Sequence, residues 1–235
     1  LQGLTHLPEG REARERGIDL RFDLRTALFP LGELGRILNY LQEAENIAEA
    51  LGDERRTGRL SFYVANASWA LGDYERAVEA GRRALAIAGA IGDFALQVVA
   101  NFVLHEAYYA LGDYPRAVNS ARTNVKSLEG DLIRERLGMF GLPSVLSRTW
   151  LVWSLAELGE FAEGIARGEE AVRIAEALDH PFSLIGAYWS VGGVYLRKGE
   201  FHQTITVLER GLGLCQTWDY PINLPWTASH LGYAY

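Results

Sequence analysis

The chain has only one cysteine, one methionine and seven prolines among its 235 residues. The single thiol, Cys215, excludes an internal disulfide and favours a reducing compartment, which we take to be the cytoplasm. No secretory signal and no long apolar run is present, so neither a membrane-spanning segment nor a membrane partner is expected. Basic runs are missing as well. Because a formal net charge of -7 repels phosphate, nucleic acid is not an expected partner.

The residue patterns of enzymes and metal centres are also missing. We find no Gly-x4-Gly-Lys-Ser/Thr loop and no Gly-x-Ser-x-Gly elbow. The five histidines are scattered, and His105 lacks the second histidine that a helical zinc site has four residues further on. The sequence therefore predicts no catalytic residues, no metal site and no cofactor, and an enzyme is the least favoured class of function.

Glycine, in contrast, recurs at a regular spacing. Five glycines are each followed by an acidic residue and then, in four of the five cases, by an aromatic residue. The steps between them are 40, 40, 47 and 40 residues. A period of this size is typical of a solenoid, in which each repeat buries its apolar face against the next. These glycines are Gly32, Gly72, Gly112, Gly159 and Gly199.

A second set of breaks divides each repeat into two segments of helix length. A glycine just after a helix can adopt the left-handed conformation that closes the last turn, and the acidic residue after it can cap the next helix. Most of these breaks lie 20 residues after a glycine of the first set. They are found at Gly52, Gly92, Gly130, 179–181 and 219–221.

Between the breaks, apolar residues recur at helical spacing, as in the stripe of Leu34, Ile37 and Leu41, and no comparable strand pattern is present. The fold class predicted is all-α: a right-handed superhelical solenoid of antiparallel helix pairs. We expect five pairs and a truncated sixth in a single domain over residues 1–235. An insertion at about 130–147 separates the third and fourth pairs. We favour the hypothesis that its apolar residues fill a packing defect over the alternative that they cover a groove as a lid.

Parts of the repeat resemble the tetratricopeptide repeat (TPR). Leu231, Gly232 and Tyr235 reproduce its Leu-Gly-x-x-Tyr pattern, and small residues such as Ala77 and Ala84 stand where its second helix carries alanine. The period is about six residues longer than in the standard unit. The segments 18–25, 31–34 and 176–181 further resemble the C-terminal arrays of bacterial regulators that join a class III adenylate or guanylate cyclase to an AAA-type ATPase. This resemblance implies a regulatory array in a multidomain signalling protein.

The TPR resemblance also implies a binding surface. In such arrays the first helix of each pair lines a concave groove, and we align positions 2, 5, 9 and 12 of that helix with this wall. Aromatic residues predominate there, and rigid rings provide large contact areas at low entropic cost. The candidate residues are Arg59, Phe62, Asn66, Trp69, Phe102, Glu106, Tyr109, Trp153 and Trp189, accompanied by Phe22, Phe29, Thr149, Trp226 and Tyr233.

Two other interpretations of these rings stay open. Aromatic residues at helical spacing are more often core than binding site, and a shift of one position would place Trp69 or Trp153 between repeats. The leading functional hypothesis is a non-catalytic module that binds a protein or peptide segment, or a sister domain of the same chain. The alternative is a sensor that binds a small apolar or sugar-like ligand in the same groove.

The C-terminal segment lacks a partner helix in the repeat pattern. Tyr235 matches Tyr195 after a shift of 40 residues, and the next turn glycine is expected near position 239, beyond the last residue. A helix in this position exposes an apolar face that arrays normally cover with a polar cap. We therefore expect the end of the chain either to fray or to associate with a second copy through this helix.

Overall fold

The computed structural model describes residues 10–218 and 224–235, and all regular structure within them is helical, as predicted. Two 3-10 helices, Phe29–Leu31 and Gly130–Arg134, follow α1 and α6. The α-helices are α1 (Arg11–Leu28), α2 (Leu34–Leu51), α3 (Glu54–Ala70), α4 (Tyr74–Ile91), α5 (Phe94–Ala110), α6 (Tyr114–Ser127), α7 (Pro143–Glu157), α8 (Phe161–Ala177), α9 (Pro181–Lys198), α10 (Phe201–Thr217) and α11 (Leu224–Ala234).

The chain divides into two compact units, which we call unit 1 (Leu1–Ala107) and unit 2 (Tyr108–Tyr235). In unit 1, α1 packs on α2, α2 on α3, and α3 on α4. Ile18, Ile37 and Leu60 are fully buried in its core. Each such side chain contributes about 1.5–3 kcal/mol through burial. Small residues permit the close packing, since a Cβ on Gly81 would lie only 2.9 Å from Leu104.

In unit 2 each helix from α6 to α11 packs on its neighbour in sequence, and α7 also packs on α9. Leu151, Ile185 and Leu208 are fully buried. Glycines of α9 allow the tightest contacts: a Cβ on Gly192 would lie 2.3 Å from Leu208, and a Cβ on Gly193 would lie 2.3 Å from Trp153. The side chains of α7 and α10 therefore rest directly on the α9 backbone.

The turns follow the predicted breaks. All five glycines of the first set have positive φ, and Gly52, with φ of 63°, donates its N–H to the carbonyl oxygens of Ala48 and Glu49. At the fourth repeat, where no glycine is present, Asp179 adopts the left-handed conformation with φ of 45°. The predicted break at 219–221 lies outside the described residues.

The acidic residues after the turns differ in their capping. Asp53, Asp73, Asp93 and Asp113 each accept a hydrogen bond from a backbone N–H three residues further on, at 3.0–3.3 Å. Glu33, Glu160 and Glu200 occupy the same N-cap position and make no such bond. The prediction that the acids cap the next helix is confirmed for these four aspartates. It is wrong for the three glutamates, whose longer side chains suit this position less well, and for Asp131, which lies within a 3-10 helix.

The insertion divides into a packed and an exposed part. Leu142 is 3% exposed and belongs to a cluster with Val145, Ala171, Ala175 and Ala187, and its N–H donates to Ser183 Oγ at 2.9 Å. Phe140 is 65% exposed and meets the edge of the Phe182 ring at 4.7 Å between centroids. The packing role therefore applies to Leu142 and does not extend to Phe140.

The last described helix, α11, packs on α10 and α9 through the buried residues Thr227 and Leu231. Large parts of three rings remain exposed, with Trp226 at 53%, Tyr233 at 78% and Tyr235, just beyond the helix end, at 77% exposure. Within residues 10–218 and 224–235, none of the helices has the length and apolar character to cross a membrane.

Candidate functional site

The nine candidate residues all lie on odd-numbered helices, as the repeat alignment predicts. In unit 1, Arg59 is exposed and Glu106 is buried. Phe62, Asn66, Trp69 and Phe102 are intermediate. In unit 2, Tyr109 and Trp189 are half-buried, whereas Trp153 is only 3% exposed. Two separate groups of contacts result, one within each unit.

The first group, the arginine–aromatic cluster, joins α1 to α3 in unit 1. We define it as Phe22, Arg25, Phe29, Arg59, Phe62, Tyr63 and Asn66. The Arg25 guanidinium carbon lies 4.7 Å from the centroids of both the Phe29 and the Tyr63 rings. That of Arg59 lies 4.6 Å from the Phe22 centroid and 5.8 Å from the Tyr63 centroid. Both arginines thus make cation–π contacts with the same tyrosine.

Hydrogen bonds fix these guanidinium groups. Arg25 Nη2 donates to Asn66 Oδ1 at 2.6 Å, and Arg59 Nη2 donates to the Tyr63 hydroxyl at 3.2 Å. Phe22 meets the Tyr63 ring edge-on at 5.2 Å between centroids. Burial lowers the pKa of Arg25, although the neighbouring Tyr63 acts to raise it. The cluster therefore presents two oriented cations among aromatic rings.

The other unit 1 candidates lie outside this cluster. The Trp69 Nε1 is buried and meets no acceptor among the described residues. Glu106 is 8% exposed, and burial raises the pKa of its carboxyl to about 8. A carboxylate buried in this way is a poor orienting group for a ligand in a groove, since little of it reaches solvent.

The second group, the tryptophan strip, crosses unit 2. We define it as Tyr109, Trp150, Trp153, Trp189, Trp226 and His230, which lie on α5, α7, α9 and α11. Along it, ring centroids are separated by 5.9 Å from Tyr109 to Trp150, 6.2 Å from Trp150 to Trp189 and 5.6 Å from Trp189 to Trp226. Trp150 and Trp189 are half-buried and Trp226 is 53% exposed. The strip is therefore continuous and partly open to solvent.

A polar triad borders the strip. Arg197 stacks over Trp153 with its guanidinium carbon 4.4 Å from the ring centroid, and its Nη2 lies 2.6 Å from Glu157 Oε1. Tyr109 donates its hydroxyl to the same carboxylate oxygen at 3.0 Å. Burial and the adjacent Glu157 both raise the pKa of Tyr109. The phenol is thus held neutral, as a hydrogen-bond donor beside an ion pair.

Trp153 is the deepest member of the strip. Its ring lies 4.4 Å from that of Trp189 and against the backbone of Gly193. Its Nε1 is buried without an acceptor among the described residues, as is the hydroxyl of Thr149 one turn earlier. The indole therefore supports the Trp189 ring and the Arg197 guanidinium more than it offers surface of its own.

Four members of the two groups, Arg25, Tyr63, Trp150 and His230, were absent from the sequence prediction. Tyr63 and Trp150 each follow an assigned inward position by one residue, and Arg25 occupies the place that Ala65 fills one repeat later. Because an α-helix turns by about 100° per residue, the residue after an inward position still borders the same face. Including that position in the alignment would have found Tyr63 and Trp150; no comparable signal marks Arg25.

An open pocket of about 290 Å³ lies elsewhere in unit 2, on α8, α9 and α10. Some of its polar side chains already bond to each other, since the Tyr188 hydroxyl donates to Glu176 Oε1 at 3.0 Å. It lacks the exposed rings of the strip and is a weaker candidate. It is lined by Glu169, Val172, Arg173, Glu176, Tyr188, Val191, Tyr195, Val207 and Arg210.

No protein-family model and no curated protein matches this chain. Solved structures do match it. A Rap protein complexed with competence and sporulation factor aligns with a TM-score of 0.74 at 13% identity, covering 93% of this chain and 62% of the other. A signal-transduction ATPase with a tetratricopeptide-repeat sensor, from Pyrococcus horikoshii, aligns with 0.72 at 16% identity, covering 92% and 32%. A thermophilic TPR protein of Thermus thermophilus aligns with 0.61 at 19% identity, covering 91% and 98%.

The fold is a TPR-like helical-repeat array. At these identities the likeness concerns the fold alone, and the chain spans less than two thirds of the Rap and ATPase chains. Within residues 10–218 and 224–235, no group of three or more histidine, cysteine or acidic side chains is arranged to hold a metal ion.

Proposed function

We propose that this chain is a non-catalytic interaction module that binds a protein or peptide segment along its odd-numbered helices. The observation that carries the proposal is the tryptophan strip, in which partly exposed rings follow one another over α7, α9 and α11. Clustered tryptophans bordered by a polar rim are the usual anchors of protein interfaces. The structural neighbours support this choice, since one of them is a Rap protein complexed with competence and sporulation factor.

We further propose that the module regulates an attached signalling enzyme in the bacterial cytoplasm, with a sister domain of the same chain as one form of the bound segment. The resemblance to arrays of cyclase–ATPase regulators supports this, as does a neighbour in which a tetratricopeptide-repeat sensor belongs to a signal-transduction ATPase. The single cysteine, Cys215, is free and buried, which suits a reducing compartment.

The strip can be tested with peptides selected from a random display library on the full chain. The affinity of a selected peptide should fall roughly ten-fold or more in Trp226→Ala, because an exposed anchor ring is lost. Trp218→Ala is the matched control, since Trp218 is also 53% exposed but follows the even-numbered helix α10. Equal losses in both variants, or selection of no peptide, would contradict the proposal.

The small-ligand sensor remains the second candidate, favoured by the same rings. Selection of no peptide, combined with a metabolite that raises the melting temperature of the wild type and not of Trp189→Ala, would support the sensor instead.

Self-association is a separate proposal for α11. Its exposed Trp226 and Tyr233 lie on one side of the helix and offer an apolar surface that a second copy can cover. Sedimentation analysis should detect a dimer that Tyr233→Glu dissociates; a monomer at all concentrations would exclude this contact.

A further inference from the structure

Several arginines of α1 and α3 form ion pairs. Arg21 lies 2.6 Å from Glu43 Oε2, and Arg56 lies 2.9 Å from Asp19 Oδ2 and 2.7 Å from Asp53 Oδ2. Arg25 and Arg59, on the same two helices, have no carboxylate within ion-pair distance among the described residues. Their neighbours are aromatic rings and neutral polar atoms. In a chain with net charge -7, the arginine–aromatic cluster thus holds two guanidinium groups without an acidic partner among the described residues.

Most N–H donors of these two guanidinium groups have no hydrogen-bond acceptor among the described residues. A guanidinium has five N–H donors. Among the described residues, one hydrogen bond from Arg25 goes to Asn66 and one from Arg59 goes to Tyr63. Both guanidinium groups lie against the Tyr63 ring, at 4.7 and 5.8 Å from its centroid. An anion bound at the cluster would accept the remaining N–H donors and compensate the positive charge.

We propose that the arginine–aromatic cluster binds a carboxylate side chain of the partner segment, held by Arg25 and Arg59 and flanked by the rings of Phe22, Phe29 and Tyr63. This inference rests on the proposed function and names the chemistry of the partner: an acidic residue in an extended peptide. A planar carboxylate matches the paired donors of a guanidinium, and the neighbouring rings favour an apolar residue beside the acid.

Charge complementarity favours an acidic peptide over other occupants. Arg59 is exposed and Arg25 is half-buried, so the cluster is open to solvent. The rings lower the local polarity, which strengthens the attraction of an incoming carboxylate. Burial lowers the pKa of Arg25, in keeping with the absence of a nearby carboxylate among the described residues.

The test is a display selection in which random peptides are fused at their C-termini, so that only side chains supply carboxylates. Full-length wild type, Arg59→Gln and Arg76→Gln are compared. Arg76 is an exposed arginine of α4 outside the cluster. Arg76→Gln therefore removes one positive charge, as Arg59→Gln does. Wild type and Arg76→Gln should both enrich peptides with aspartate or glutamate, and Arg59→Gln should lose that enrichment.

A synthetic selected peptide, amidated at its C-terminus, then gives the affinity. Replacing its acid by the matching amide should weaken binding to wild type roughly ten-fold and should have little effect on Arg59→Gln. The peptide change requires no protein variant, so a folding defect cannot imitate the result. The same comparison of acid and amide peptides can be made with Arg25→Gln, provided that its circular dichroism spectrum and melting temperature match those of the wild type.

The outcomes separate this inference from the proposed function. Peptides selected without an acidic preference, or an amide that binds as well as the acid, would overturn the carboxylate site and leave the interaction module standing. If Arg59→Gln and Arg76→Gln lose the preference for acidic peptides equally, the net charge of the protein explains that preference, and the carboxylate site is again overturned. Selection of no peptide would overturn both.

Discussion

The tryptophans of unit 2 illustrate how burial divides residues of one type into different roles. Trp153 is 3% exposed and packs on Gly193, whereas Trp226 is 53% exposed. We expect Trp153→Ala to lower the free energy of unfolding by about 3–5 kcal/mol, since it leaves a large cavity. Trp226→Ala should cost about 1 kcal/mol or less. Urea unfolding followed by circular dichroism measures both.

Trp153→Phe is the control for this comparison. It keeps most of the ring and removes a buried N–H that has no acceptor among the described residues. Its loss of stability should be much smaller than that of Trp153→Ala. If Trp153→Ala melts like the wild type, Trp153 is a surface ligand rather than the support of the strip.

Glu106 makes stability depend on pH. Burial raises the pKa of its carboxyl to about 8 in the folded chain, against about 4.3 in an unfolded one. A raised carboxyl pKa favours folding below the unfolded value and loses that contribution as pH rises through the folded value. Stability from this group should therefore decline between about pH 4 and pH 8. The melting temperature of Glu106→Gln, relative to wild type, should be higher at pH 9 than at pH 5.

Glu79→Gln serves as the matched variant, since Glu79 is an exposed glutamate on α4. A change in the pH dependence of melting that appears in both variants would show that the loss of one negative charge, and not the burial of Glu106, causes it. Parallel curves for wild type and Glu106→Gln from pH 5 to pH 9 would contradict the assignment of the raised pKa to Glu106.

At the scale of the helices, capping distinguishes two sets of boundaries. Asp73 accepts a hydrogen bond from the backbone N–H of Arg76 at 3.2 Å, whereas Glu160 makes no capping bond. Asp73→Ala should therefore cost about 0.5–2 kcal/mol, and Glu160→Ala distinctly less. Chemical denaturation of the two variants measures the difference, and equal losses would show that the hydrogen bond contributes little.

The helix boundaries were predictable because the conformation of a turn depends on a few neighbouring residues. Positive φ, glycine and a following acid are properties of a few consecutive residues, so one sequence is sufficient to place them. The fold class followed because a regular period leaves few alternatives. The absence of capping at Glu33, Glu160 and Glu200 was not predictable from charge, since it depends on side-chain length and on the geometry of each turn.

The candidate site was less predictable, for a different physical reason. The repeat alignment correctly placed Trp189 and Arg59 on the odd-numbered helices, but the exposed part of a ring depends on what packs across from it. Trp153 is buried because Gly193, 40 residues later, lets α9 approach. Arg25 meets α3 through Tyr63 and Asn66, 38 or more residues away in the sequence. Such contacts between distant residues leave no pattern in a single sequence.

At the scale of the whole molecule, each helix depends mainly on its neighbours. In unit 2 the contacts run from α6 through α11 in sequence order, with the additional pairs α7–α9 and α9–α11. The stability of such an array is approximately a sum of repeat and nearest-neighbour terms. A defect within the array should therefore loosen the helices that meet there before it affects distant ones.

Gly193→Ala tests this locality. Its new Cβ would lie 2.3 Å from the Trp153 ring, and relieving that overlap should cost about 1–3 kcal/mol. Hydrogen exchange should accelerate in peptides from α7 and α9, while α1 and α2 keep their wild-type protection. Gly213→Ala is the control: nothing lies within 4 Å of its Cβ, and alanine in α10 should stabilise by up to about 1 kcal/mol. If Gly193→Ala accelerates exchange equally in all helices, the chain opens as one cooperative body, and a ligand on the tryptophan strip would then stabilise α1 as strongly as α9.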